Sequence, residues 1–341
     1  MNILKKIILF LLVLAAIAST IFFYSIHTFV DIGKYKEWEV APTPNPSMGA
    51  VTVQFVGVST VVISDDSTTL MTDGFFTRPT AIDMVFGVVQ PDTTDIRWSL
   101  QRLGLNELDA VFVTHSHFDH AIDAPEVARL TGATMYGSES TLNIGRGWNL
   151  PENQMQLFEN KQPIKIGQFT ITPILSRHFE FANPELRERT LGGKQEITEP
   201  LVPPVPALDY KMGGAYTLLF EHPKGSFVLQ SSAGWLEGSL EGIQTDIVLI
   251  GIGGLGAQTP EYHATYFKEI VDELDAQQVY LVHWDAFVSS IRQPIRGPML
   301  LADWVAGKTM KSFEAVEREV AKRNGLKVNL LPQWEKVVLF E

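Results

Sequence analysis

The sequence predicts an α+β fold, an αββα sandwich of two packed sheets with helices outside, preceded by one membrane-spanning helix. Three observations predict it. Hairpin-like strands lead each half of the chain and strands alternate with helices late in each half, the order expected of two layered sheets. The 341 residues are 45% hydrophobic and 19% charged, which supplies a large core and excludes general disorder. After Lys5 and Lys6, the stretch from Ile7 to Ile26 carries no charge, and at about 1.5 Å per residue it reaches about 30 Å, a bilayer core.

That first element has two readings. One is an uncleaved anchor; the other is a signal peptide with Ala16-Ile17-Ala18 as its cleavage site. The apolar run continues through Ile21, Phe22 and Phe23, which favours the anchor. The position of Lys5 and Lys6 puts the N-terminus inside and the main body on the periplasmic or extracytoplasmic side of a single-pass membrane protein. Residues 1–30 thus form the anchor or signal, and 31–48 a Pro-rich linker in which Ala41 to Met48, with Pro42, Pro44 and Pro46, is expected to stand off from the anchor as a stiff spacer. Residues 49–341 form the globular domain.

Within it, Val51, Val53 and Phe55 alternate, Val61 to Ile63 follow a turn, and Asp65-Asp66-Ser67 makes another, giving three antiparallel strands by Thr72. Thr94 to Leu103 has helical spacing ended by Gly104, and Ala110 to Thr114 is a short buried strand. Asp123 is expected to cap a helix with Glu126 in a capping box and Gly132 as its stop, before strand Thr134 to Tyr136. The second half reads as strands around Ile164 to Pro173, Ala215 to Glu221, Ser226 to Gln230 and Ile247 to Gly251. A helix capped by Thr259 with Pro260 first then runs to about Leu274, followed by strand Gln278 to Val282. No repeat of fixed period is evident.

Acidic residues (39) outnumber Lys plus Arg (27), for a net charge of −12, so no nucleic-acid partner is expected. With no cysteine, any metal must be held by His and carboxylates. The densest candidate is His115-Ser116-His117-Phe118-Asp119-His120, at the end of strand Ala110 to Thr114. An extended backbone sends His115 and His117 to one side, where both imidazoles reach one divalent ion, while Asp119 and His120 from the next turn serve a second.

This His-x-His-x-Asp-His run resembles the signature of the metallo-β-lactamase superfamily, a likeness that extends from about Ala50 to Phe340 and includes Asp73-Gly74 after a strand. Its phrases are most similar to the L-ascorbate-6-phosphate lactonase-like branch, and more loosely to N-acylphosphatidylethanolamine phospholipase D. The resemblance implies that His115, His117 and His178 bind a first metal and Asp119, His120 and His283 a second, one or two Zn2+ or other divalent ions. It also implies a metal-dependent hydrolase in which a metal-activated water, oriented by Asp119, attacks an ester, lactone or phosphodiester of a small-molecule or lipid-like substrate. Asp73 is expected to brace the metal-bearing loop through hydrogen bonds.

One position departs from the family. Ser232 in Ser231-Ser232-Ala233-Gly234 stands where a metal-bridging Asp is usual. A weaker second site, a site bridged by other means, or a metal-binding envelope scaffold without turnover would each follow. His263 is read either as a proton-transfer group facing the cleft or as an exposed helix residue, and Arg177 as an anion-recognising or a plain surface group. His27 and His222 are expected to be structural or solvent-facing. Gly251 to Gly256 reads as a tight turn close to the metals, and Phe179 to Met212 as a lid over the pocket. The oligomeric state is not legible in the sequence.

Overall fold

The computed structural model describes residues 3–181 and 183–341. Helix α1 (Ile3–His27) has a mean hydropathy of 2.7 and is exposed along nearly all its length, so it is long and apolar enough to cross a membrane. The chain then pairs with the globular body at once. Val30 donates to the Pro298 carbonyl at 2.8 Å, Leu300 donates to the Thr28 carbonyl at 2.8 Å, and Phe29 bridges Met299.

Residues 31–48 therefore do not stand off as a spacer. Tyr35 is buried against Phe313, with ring centroids 4.7 Å apart, and Thr43 donates to the Lys336 carbonyl at 2.7 Å. The prolines stiffen the segment, but the aromatic pair Tyr35 and Trp38 pins it to the domain.

Strands β1 (Val51–Gly57), β2 (Thr60–Ser64) and β3 (Thr69–Thr72) form the expected antiparallel meander. Its register aligns Val53, Ile63 and Leu70 in one row facing the core. After α2 (Ala81–Phe86) and α3 (Thr93–Leu103), strand β4 (Ala110–Phe112) adds in parallel to β3. The short α4 (Phe118–Ala121) and α5 (Ala124–Thr131) lead to β5 (Thr134–Gly137), and α6 (Glu139–Gly147) leads to β6 (Met155–Leu157).

Strands β7 (Ile164–Ile166), β8 (Phe169–Ser176), β9 (Ala215–His222) and β10 (Gly225–Gln230) repeat the antiparallel opening, with α7 (Pro184–Leu191) inside the β8–β9 connection. Strand β11 (Ile247–Gly251), α8 (Pro260–Phe267) and β12 (Gln278–Val282) repeat the parallel continuation. The short α9 (Leu300–Ala302) and α10 (Thr309–Ala321) precede β13 (Lys327–Leu330) and β14 (Lys336–Phe340).

The two sheets run β14-β1-β2-β3-β4-β5-β6 and β13-β12-β11-β10-β9-β8-β7. Phe55, Phe112, Phe169, Phe220 and Phe227 fill the layer between them, and Met71, Val111 and Met135 face α3 and α5 on the outside of the first sheet. His283 directly follows β12, and His115 lies three residues past the end of β4.

One expected cap is different. Asp123 does not bond the first turn of α5; its carboxylate accepts from the Phe76 and Thr77 amides at 2.7 and 2.6 Å and from the Thr77 hydroxyl at 2.6 Å. Glu126, rather than closing a capping box, takes Arg129 and the Trp148 indole. Side chains tied to distant loops are invisible to a local capping pattern.

Candidate metal centre

Six side chains from three chain segments meet at one edge of the sandwich. His115 leaves the end of β4, His117 is the extended residue just before α4, and Asp119 and His120 lie within α4. His178 follows β8, and His283 follows β12 in the left-handed region, with φ 56. They fall into the two expected groups, His115/His117/His178 and Asp119/His120/His283, each with one ligand atom per residue, all within 4.8 Å of one another.

Hydrogen bonds orient the rings. Asp73 accepts at 2.8 Å from His120 Nδ1, which in the neutral ring leaves Nε2 as the free donor, directed at His283 Nε2, 3.2 Å away. His178 Nδ1 donates to the Phe179 carbonyl at 2.7 Å, freeing its Nε2 in the same way. His115 Nε2 and His283 Nδ1 are buried without a hydrogen-bond partner among the described residues. A buried, orphaned imidazole nitrogen is unfavourable unless a ligand satisfies it, so the donor set fits divalent ions that accept nitrogen and oxygen.

Asp73 has the bracing role expected of it. Besides His120, its carboxylate accepts from Ser59 Oγ at 2.6 Å and from the Thr114 amide and hydroxyl at 2.7 and 2.9 Å. It fixes the strand end that carries His115.

The local field differs between the groups. Burial, reinforced by neighbouring imidazoles, pushes His115 and His178 well below the ordinary histidine value; burial likewise pushes His117 down to about 4. At His120 burial also opposes charge, but the Asp73 and Asp119 carboxylates outweigh it and raise the pKa. Burial would raise Asp119 as well, yet His120, His283 and His117 hold it well below the carboxylate range and keep it ionised.

The centre forms the floor of a cavity of about 300 Å³, walled largely by apolar groups including Phe118, Phe179, Trp284 and Phe287. The Phe179 to Met212 segment covers one side, as expected of a lid, through Phe181, Thr190 and Leu208, although it also folds α7. In the glycine turn, a Cβ on Gly253 would meet His283 Nδ1 at 2.6 Å and one on Gly254 (φ +75) would meet the Phe179 ring at 2.5 Å, so side chains are excluded there.

Several expected residues stay outside the centre. His263 is neither cleft-facing nor exposed: it is buried in α8, its Nε2 bonded to the Leu255 carbonyl at 2.8 Å. It therefore does not reach the cleft and cannot transfer protons there. Arg177 is exposed and lines no part of the cleft. His222 pairs with Asp65 at 3.3 Å, and His27 bonds the Phe23 carbonyl in the last turn of α1. The Ser232 hydroxyl accepts from the Phe179 amide at 3.1 Å, beside the ligand His178.

Two cleft residues escaped the sequence reading. Asp285, two residues past His283, lines the cleft and accepts from the Val58 amide at 2.7 Å. Tyr210 also lines it, its buried hydroxyl unpartnered among the described residues. Only the spacing His283-Trp284-Asp285 after a strand could have flagged the first.

Residues 80–193 match the family model described as the β-lactamase superfamily domain. That span holds His115, His117, Asp119, His120 and His178 and leaves His283 outside. The chain is 47% identical over 47 residues to a UPF0173 metal-dependent hydrolase of Myxococcus xanthus, over 14% of this chain and 16% of that protein. It is 25% identical over 130 residues to an uncharacterized protein of Mycobacterium tuberculosis, over 37% of this chain and 34% of the relative. The chain thus spans at most about a third of the length of these two curated relatives. Among solved structures, Igni18, a metallo hydrolase from Ignicoccus hospitalis, superposes with a TM-score of 0.51 at 17% identity, covering 86% of this chain and 99% of that one. The fold is the metallo-β-lactamase fold, mixed α+β with two sheets.

Proposed function

We propose that this chain is a membrane-anchored, metal-dependent hydrolase that cleaves an ester, lactone or phosphodiester bond in a small or lipid-like molecule. The observation that carries the reading is the convergence of two ligand groups at the floor of an apolar cleft. Divalent ions, zinc by the character of the donors, supply Lewis acidity and an activated water when bound.

The protein's own groups do the rest. Asp119, kept ionised among imidazoles, has Oδ2 3.4 Å from His283 Nε2 and 3.6 Å from His120 Nε2, where it accepts a hydrogen bond from a water and orients it. Tyr210 offers its free hydroxyl to a substrate oxygen, and Phe118, Phe179 and Phe287 exclude bulk water. An apolar lining suits an acyl chain better than a sugar phosphate, which favours the phospholipase-like over the lactonase-like likeness. Helix α1 anchors the domain on the extracytoplasmic side.

The test uses purified full-length protein, elemental analysis, and a panel of esters, lactones and phosphodiesters with short and long acyl groups. Metal binding with turnover, lost in Asp119→Asn, is expected. Ser232 at the bridging position favours a second reading, a metal-binding scaffold, and bound metal without hydrolysis across the panel would establish it.

A further inference from the structure

We infer that the mouth of this cleft is a membrane-docking surface, so that the cavity opens onto the bilayer entered by α1 and takes an acyl chain from lipid directly. The inference rests on reading α1 as a span and deepens the proposed function by naming the route and class of the substrate.

Two observations carry it. First, no spacer separates the helix from the cleft wall. Immediately after His27, Thr28 to Val30 pair through their backbone with Pro298 to Leu300, and the Arg296 guanidinium stacks over the Phe29 ring at 3.9 Å. Pro298 and Met299 themselves line the cleft. The end of α1 is where an anchored chain leaves the lipid, so this wall sits at the interface.

Second, the rim beside the lining residues exposes large apolar side chains. Ile82 lies two residues before the lining Met84 and is 70% exposed; Val305, between the lining Ala302 and Gly307, is 61% exposed. Trp304, beside it, is 48% exposed, and Leu208, itself a lining residue, 39%. A tryptophan among aliphatic residues is the composition that partitions into the headgroup boundary. Water-exposed apolar groups next in the chain to residues that line an apolar cavity are unfavourable in solution and favourable against lipid. The occupant is the bilayer because the anchoring helix is continuous with the same wall.

The absence of cysteine makes the test direct. Single variants Ile82→Cys, Val305→Cys, Ile17→Cys and Lys224→Cys of the full-length protein are labelled with an environment-sensitive fluorophore. Each is reconstituted into phosphatidylcholine vesicles with doxyl groups either near the headgroup or deep in the acyl chain. Lys224 lies in the β9–β10 turn, at the far end of β9 from Ala215, which pairs with Ser176 two residues before His178. The headgroup-level quencher is expected to reduce emission about twofold or more at positions 82 and 305, as for an interfacial residue, and the deep quencher to act at 17, with position 224 unaffected. Quenching at 17 but not at 82 or 305 would leave the anchor standing and overturn the docking surface. No quenching at 17 would overturn the anchor and the inference with it.

Discussion

The two ligand groups share one edge of the sandwich yet differ in charge and support. His115, His117 and His178 offer three neutral imidazoles, two of them pushed well below the ordinary histidine value. Asp119, His120 and His283 include an ionised carboxylate, and His120 is further backed by Asp73 at 2.8 Å. The carboxylates at and behind the second group attract a cation there more strongly than three neutral imidazoles do at the first. From Ser232 alone, the second site was expected to be the weaker. The carboxylates around His120 argue the other order, with the first equivalent of metal held by Asp119, His120 and His283.

The largest effect should come from His120→Ala, which is expected to lower affinity for the tight ion by more than about 100-fold in chelator competition, since it removes a ligand rather than its support. Loss of the tight ion in His117→Ala instead would reverse the order. Next is pH. In the metal-free protein the pKa values of His115, His117 and His178 lie below the unfolded value of 6.5. Between pH 6.5 and about 4 the unfolded chain therefore binds more protons, and stability falls as pH falls; His117 alone contributes about 3 kcal/mol. His120, with its raised pKa, has the opposite sign, contributing stability that is lost as pH rises above 6.5. Urea midpoints across this range measure the balance, and a flat profile would mean the first group is not desolvated.

Asp73→Asn should weaken the second site about 10–100-fold without removing a ligand, read by the same competition assay. Ser232→Asp should tighten whichever ion is held less firmly, by less than those changes, because the new carboxylate must share the Phe179 amide now bonded to the hydroxyl. An unchanged affinity would show that position 232 does not face the ions. Arg177→Ala, at an exposed position, should alter stability by less than about 0.5 kcal/mol and leave metal affinity unchanged; a marked change would restore it to the site.

The contrast between the groups was only partly legible in the sequence. Four ligands lie within six residues, and His178 and His283 follow strands whose alternation is plain, so the donor set could be written down. The field could not, because the neighbours that set it, Asp73 beside His120 foremost, come together only through tertiary packing. His263 illustrates the same limit: a position one turn past the cap of α8 does not reveal which side of the helix meets the sheet. Strand β14 was missed although it flanks β1, since its partner lies at the other end of the chain. Tyr35 shows how a proline-rich neighbourhood masks one anchoring aromatic.

Each ligand group also draws on both sheets. His115, His117, Asp119 and His120 follow β4 of the first, whereas His178 and His283 follow β8 and β12 of the second. Neither half can assemble a complete site alone, so metal capture reports the docking of one sheet on the other. Ions bind tightly only once the sheets are docked and then oppose their separation, adding about 1.4 kcal/mol for each tenfold excess of free metal over the dissociation constant. The metal supply of the compartment would thereby set how long the two layers stay together.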